Sequence, residues 1–212
     1  METNNQPSEV LLNNDNVNTP YKMTSEELSG IRTLGGLAAL FAAGSIIPYI
    51  GFLIGLASIV LFLITFHKIS KVADKKSIFS NIGFAYLISF VAGLALVIFI
   101  IFTFINVFAD YHYDMEYFFS QIGSIKEDFL TTIIMIGVFF YVISITYAYL
   151  WKMSLDKTAV FFNDKAFKTA GLLYIIGAAT IVVCGLGMLV TIAGHIVLAV
   201  AFFSLKPDKI SV

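Results

Sequence analysis

The sequence predicts an all-α integral membrane protein: a six-helix transmembrane bundle with two tight helical hairpins and both termini on the cytoplasmic side. Three observations predict it. Of the 212 residues, 58% are apolar and only 13% are charged, whereas soluble domains carry about a quarter charged residues. Two apolar runs, 31–66 and 169–205, are too long for a single crossing, and each has a backbone breaker near its middle. Once both runs are folded back, nearly every cation falls on one side of the membrane.

The chain opens on residues 1–24, rich in Asn and carrying two prolines. This stretch lacks the basic start and apolar core of a cleavable signal peptide and is expected to be a disordered polar tail. Order is expected to begin at "TSEEL". Thr24 followed by Glu27 fits a capping box, in which each side chain satisfies a backbone N–H that the helix leaves unpaired. The first helix is therefore predicted to start near Ser25.

A bilayer core about 30 Å thick needs about 20 helical residues at about 1.5 Å each. The run 31–66 would form a rod of about 54 Å at that rise. Its breaker is "IIPYIG", where Pro48 removes a donor and restricts Ile47; in the second run it is "CGLG", with Gly185 and Gly187. Kinked single helices would also accommodate these residues. Charge decides between the two arrangements. With both runs folded as hairpins, one side holds Lys22, Arg32, Lys68, Lys71, Lys75, Lys76, Lys152, Lys157, Lys165, Lys168, Lys206 and Lys209, and the other only Lys126. That is twelve against one, where single spans would give eight against five. The positive-inside bias therefore predicts six spans, at about 31–47, 50–67, 81–106, 129–151, 168–184 and 187–205, within a membrane domain of residues 25–206 followed by a short tail, 207–212. "IIPYIG" becomes an external turn.

The long external connection from Asp110 to Asp128 carries five aromatics and five acids, as suits a segment lying among headgroups, although a loop of this length also fits a ligand or partner site. The two inner connections resemble each other weakly, from Phe66 and from Leu150. Duplication would explain this; so would an interfacial aromatic followed by lysine at each cytoplasmic helix end. Lys68, Lys71, Lys75 and Lys76 are expected as cytoplasmic anchors beside the headgroups. The lone Cys184 cannot form an internal disulfide. With a net charge of -1 and scattered cations, nucleic acid is excluded as a partner. The expected partners are the lipid bilayer and, beyond it, other membrane proteins or further copies of the chain.

The spans offer little chemistry. No Asp or Glu falls inside a predicted helix core, which removes the carboxylates on which ion coupling usually rests. Protease, hydrolase and phosphate-loop motifs are absent from the sequence. His67, His112 and His195 are too dispersed for a metal cluster, so no cofactor is expected. His195 is the one ionisable side chain deep in a span. Gly187, Thr191 and His195 recur at intervals of four on one face, so a small-residue groove could bring a partner helix to the imidazole. His195, Thr191, Asn106 and Tyr147 form the candidate intramembrane polar site. The bland reading is a neutral histidine bonded to a neighbouring helix, with Asn81, Asn106 and Tyr147 adding further interhelical bonds. Gly51 and Gly55, together with Gly35, Ala39 and Ala43 on the first helix, are expected to let the first hairpin close tightly, with Gly187 serving the last.

The stretches "TLGGLAALFAAGSIIPYIGFLIGLASIVLFLITFHKIS", "DKKSIFSNIGFAYLIS" and "AFKTAGLLYIIGAATIVV" resemble the archaeal integral membrane proteins grouped as domain of unknown function 996. The resemblance covers roughly residues 25–206 and is clearest at the Pro-Tyr-Ile-Gly turn and at "FKTAGLLYIIGA". It implies a membrane topology and transfers no activity or site. The expected role is a non-enzymatic scaffold or envelope component of the cell membrane. The alternative is a small permease or channel, for which His195, Thr191, Asn106 and Tyr147 would have to converge on one cavity.

Overall fold

In the computed structural model, residues 23–110, 127–181 and 185–206 are described, with side chains except at 103–104, 106–110, 127–130 and 132–133. The predicted tail 1–24 lies outside the described residues but for its last two, and so do residues 111–126 of the external connection, Cys184 and the tail 207–212. Six α-helices and no strands occur among the described residues: α1 Ser25–Gly44, α2 Gly51–Val72, α3 Lys76–Asp110, α4 Glu127–Phe162, α5 Lys165–Thr180 and α6 Leu186–Phe203. Helix α1 starts as its cap dictates. Thr24 Oγ1 accepts from the Glu27 N–H at 3.2 Å, and the Glu27 carboxylate accepts from the Thr24 N–H at 2.9 Å.

Both long apolar runs break where the sequence carries its breakers. After α1, Ile47 and Pro48 form a turn in which the Gly51 N–H donates to the Ile47 carbonyl at 2.8 Å and Tyr49 takes a positive φ of 67°. In the second run Gly185, with φ 76°, precedes α6. Glycine adopts that left-handed conformation without penalty, whereas an aromatic residue at Tyr49 strains the backbone. The remaining turns place Asp74 at φ 48° and Asn163 at φ 47°, residue types that tolerate the region. Ser70 Oγ donates to the Lys75 carbonyl at 3.0 Å, and Asp164 caps α5 by accepting from the Ala166 N–H at 2.9 Å.

Successive helices run antiparallel, and α6 returns to pack on α1, so the six close into a ring. Named hydrogen bonds fix the register. Ser58 Oγ donates to the Ala38 carbonyl at 2.8 Å between α2 and α1, and Ser154 Oγ to the Ile78 carbonyl at 2.7 Å between α4 and α3. Arg32 donates to the Phe203 carbonyl at 3.0 Å, satisfying an acceptor left open at the end of α6. This topology gathers every described cation at one end of the ring: Arg32, Lys68, Lys71, Lys75, Lys76, Lys152, Lys157, Lys165, Lys168 and Lys206.

Four helices, described over Gly51–Val72, Lys76–Phe102, Ile134–Phe162 and Leu186–Phe203, are long and apolar enough to cross a membrane. Helix α1 carries Glu26, Glu27 and Arg32 in its first turns, and α5 has only 16 residues, about 24 Å at the helical rise. Helices α3 and α4, of 35 and 36 residues, are each more than 50 Å long at about 1.5 Å per residue. Since α2 and α3 meet at their linked ends, where His67 packs edge-on to Phe79, the extra length of α3 lies at the far end. There α3 and α4 outrun the rest of the ring.

Candidate functional site

Trp151, on the inward face of α4, organises the centre of the ring. It is 1% exposed. Phe62 and Phe66 of α2 meet it edge-on at 4.9 and 5.6 Å between ring centroids, Tyr86 of α3 at 6.0 Å and Tyr174 of α5 at 5.3 Å. Tyr147, one helical turn earlier on α4, lies tilted at 6.2 Å. Edge-to-face packing sets the positive rim of one ring against the negative face of another, so the cluster gains directional attraction beyond its burial. Phe202 of α6 continues it toward the cation end, 6.2 Å from Phe66 and 5.0 Å from Phe167.

His195 joins this cluster from α6. Its Nδ1 lies 2.7 Å from the Tyr174 hydroxyl of α5, and its ring lies 6.4 Å from Phe62 in a stacked orientation. The approach of α5 and α6 follows from small residues. A side chain added at Gly187 would strike the backbone of Gly177 and Ile181, and one added at Gly177 would meet Thr191. The face shared by Gly187, Thr191 and His195 thus seats α5. Thr191 itself donates to the Gly187 carbonyl of its own helix at 2.8 Å.

Of the four residues singled out as a polar site, the structure brings Thr191 and His195 to one seam. Tyr147 lies across Trp151, its ring 6.0 Å from Tyr86. Asn106 stands twenty residues beyond Tyr86 on α3, about 30 Å along the axis, and its side chain lies outside the described residues. Asn81, expected to bond between helices, leaves its buried amide nitrogen without a partner among the described residues.

Packing differs from the sequence-based expectation in two places. Gly51 and Gly55 do close the first hairpin, both against Ser45, but Gly35 does not share in this. Gly35 and the adjacent Gly36 make room for the Phe202 and Phe203 rings of α6, because α1 has a second neighbour once the ring closes. Phe66 and Trp151, which the interfacial explanation of the two inner connections would set among headgroups, are instead buried. Neither lies at a helix end, since α2 continues to Val72 and α4 to Phe162, and both rings face inward. Sequence reasoning missed Trp151 and Tyr174 as central residues. For Tyr174 the signal was present in the stripe Phe167, Ala170, Gly171, Tyr174, Gly177 and Ala178, all buried and spaced mostly by three or four.

Among the described residues, clefts also lie outside this centre. One, of about 270 Å³, is lined by Glu27, Ile31, Lys68, Lys71 and Val72 where the start of α1 meets the end of α2. Lys75 and Lys76 sit just beyond it, at the α2–α3 turn. Another, of about 310 Å³, lies between α3 and α4 and is lined by Ala95, Leu96, Phe99, Met135, Ile136, Phe139 and Phe140, apolar throughout. Among the described residues no group of His, Cys, Asp and Glu could hold a metal ion.

Fold and site together define a class: an all-helical bundle with four helices apolar enough to span a membrane and a centre filled by aromatic rings. A family model described as protein of unknown function (DUF996) matches residues 52–196, more than half of the chain, and the chain belongs to that family. It is also 29% identical over 188 residues to the uncharacterized protein MJ1644 of Methanocaldococcus jannaschii, an alignment covering 88% of this chain and 97% of that one. No solved structure matches.

Proposed function

We propose that the protein is a six-span component of the cell membrane, with the cation end cytoplasmic, acting as a non-enzymatic scaffold. The outward face supports the membrane setting. Phe52, Phe84, Phe90, Val97, Phe102, Met135, Val142, Leu189 and Val200 are all about half or more exposed, an apolar surface far larger than soluble monomers carry. Helix α1, with its charged first turns, and the 16-residue α5 cross packed and hydrogen-bonded against their neighbours, since open backbone ends are tolerated at membrane depth only against protein or water.

The observation that carries the scaffold reading is the packed centre. Trp151, Phe62, Phe66, Phe167 and Phe202 fill the space between helices where a passage would run. A permease would need its polar groups on one cavity. Thr191 is instead engaged by its own helix and His195 by Tyr174. Flux assays in proteoliposomes test this reading. The expected result is solute uptake equal to that of empty vesicles across ions, sugars and amino acids. Uptake above that level, abolished by Trp151→Ala or His195→Phe, would replace the scaffold with a permease.

A further inference from the structure

We propose that the cleft between the start of α1 and the end of α2 binds the phosphate headgroup of an anionic membrane lipid, held by Lys68 and Lys71. The inference rests on the membrane reading above and adds a ligand and a place. The cleft is a built volume of about 270 Å³ with two ammonium groups on its wall, one helical turn apart. Neither lysine forms an ion pair among the described residues, where the one salt bridge is Lys152 with Asp156. The carboxylate in the lining, Glu27, is turned to the helix cap, accepting from the Thr24 N–H at 2.9 Å and the Thr24 hydroxyl at 3.2 Å.

The apolar part of the cleft selects a lipid over a free anion. Ile31 and Val72 lie in the same lining beside the lysines, Val72 keeping a little exposed surface. From Lys68 a stripe of exposed apolar side chains runs up α2 through Ile64, Val60, Leu56 and Leu53 at intervals of three and four. From Ile64 to Leu53 it is about 17 Å long at the helical rise, enough for an acyl chain to lie along it. A phosphate at the lysines and a hydrocarbon tail on the stripe satisfy both surfaces at once. Basic pockets between helices on the cytoplasmic side suit anionic headgroups for this reason.

The test uses the full-length protein in neutral detergent, titrated with a phosphatidylglycerol labelled on one acyl chain. The expected result is saturable binding, weakened about thirtyfold in Lys68→Gln/Lys71→Gln, the effect of taking two ammonium groups away from an anionic headgroup. Lys68→Arg/Lys71→Arg should keep most of the binding. Lys75→Gln/Lys76→Gln removes the same charge outside the cleft and should cost less than about threefold. Equal weakening in the two glutamine pairs would overturn the site, and so would full displacement by millimolar inorganic phosphate. Retention in membranes after alkaline carbonate extraction is scored alongside. Protein that is retained but shows no phosphatidylglycerol preference rejects the lipid site alone; protein that is extracted rejects the membrane reading and the site with it.

Discussion

The two ends of the α3–α4 pair both carry large apolar side chains, the far end more of them, and they fold by different means. Toward the cation end their side chains are taken up by the ring: Ile78, Ile82, Ala85, Ala148, Trp151 and Leu155 are buried by neighbouring helices. Toward the far end none of the described side chains from 93 to 105 or from 131 to 147 is buried, although the residues there include Leu94, Val97, Ile98, Ile101 and Phe102. The first half is held by protein packing. The second is a helical hairpin left bare beyond its inner turns, where Tyr141 still bonds the Ala179 carbonyl at 3.4 Å and Tyr147 meets Trp151; only lipid or another apolar partner would cover the rest. Hydrophobicity read along a sequence therefore reports that a residue avoids water, and the helix lengths around it decide what it meets instead.

The comparison is broken most sharply at Trp151. Trp151→Ala should cost about 3–5 kcal/mol, because it leaves a large cavity among five rings that cannot collapse together. Phe102→Ala, on the bare hairpin, should change stability by less than about 1 kcal/mol, since most of that ring is already outside protein packing. Thermal unfolding in one detergent measures both. Equal destabilisation would mean that the far hairpin is packed against something as firmly as the centre is. Next in size is Gly187→Leu, expected to cost about 1–3 kcal/mol by forcing α6 off the Gly177 backbone.

Smaller effects sharpen the account of how the ring is tied. Ser154→Ala removes the α4–α3 hydrogen bond and should cost about 0.5–1.5 kcal/mol, in the range of polar interactions between membrane helices. His195→Phe and Tyr174→Phe should each cost about 1 kcal/mol and the double variant about the same, because both remove one shared bond. Additive costs would show that the imidazole has a second partner. Tyr49→Gly should stabilise by about 1 kcal/mol, since glycine takes the left-handed turn without strain.

Much of the fold was legible because its determinants are local. The Thr24–Glu27 cap, the break at Pro48 and the break before Gly187 depend on residues within a few positions, and helices begin and end there. The one-sided distribution of lysine was equally readable, and antiparallel packing turns it into one basic end. The site was legible only in part. Gly187, Thr191 and His195 share a face by periodicity, but that their neighbour would be Tyr174 depends on which helix packs there. Trp151 was harder still. Nothing beside it in the sequence marks it as central, and only the closed ring sends it inward. Gly35 was misassigned for the same reason, since a small residue announces a close neighbour without naming it.

The central claim, that the ring spans a membrane with its basic end inside, is tested most directly by single-cysteine labelling. Cys184 is first replaced by Ser, and Tyr49→Cys and Lys71→Cys are then introduced separately. A membrane-impermeant maleimide is applied to intact cells and to permeabilised ones. The account expects Tyr49→Cys, at the fully exposed turn, to react in both, and Lys71→Cys to react only after permeabilisation. Labelling of Lys71→Cys in intact cells, with Tyr49→Cys protected, would contradict it.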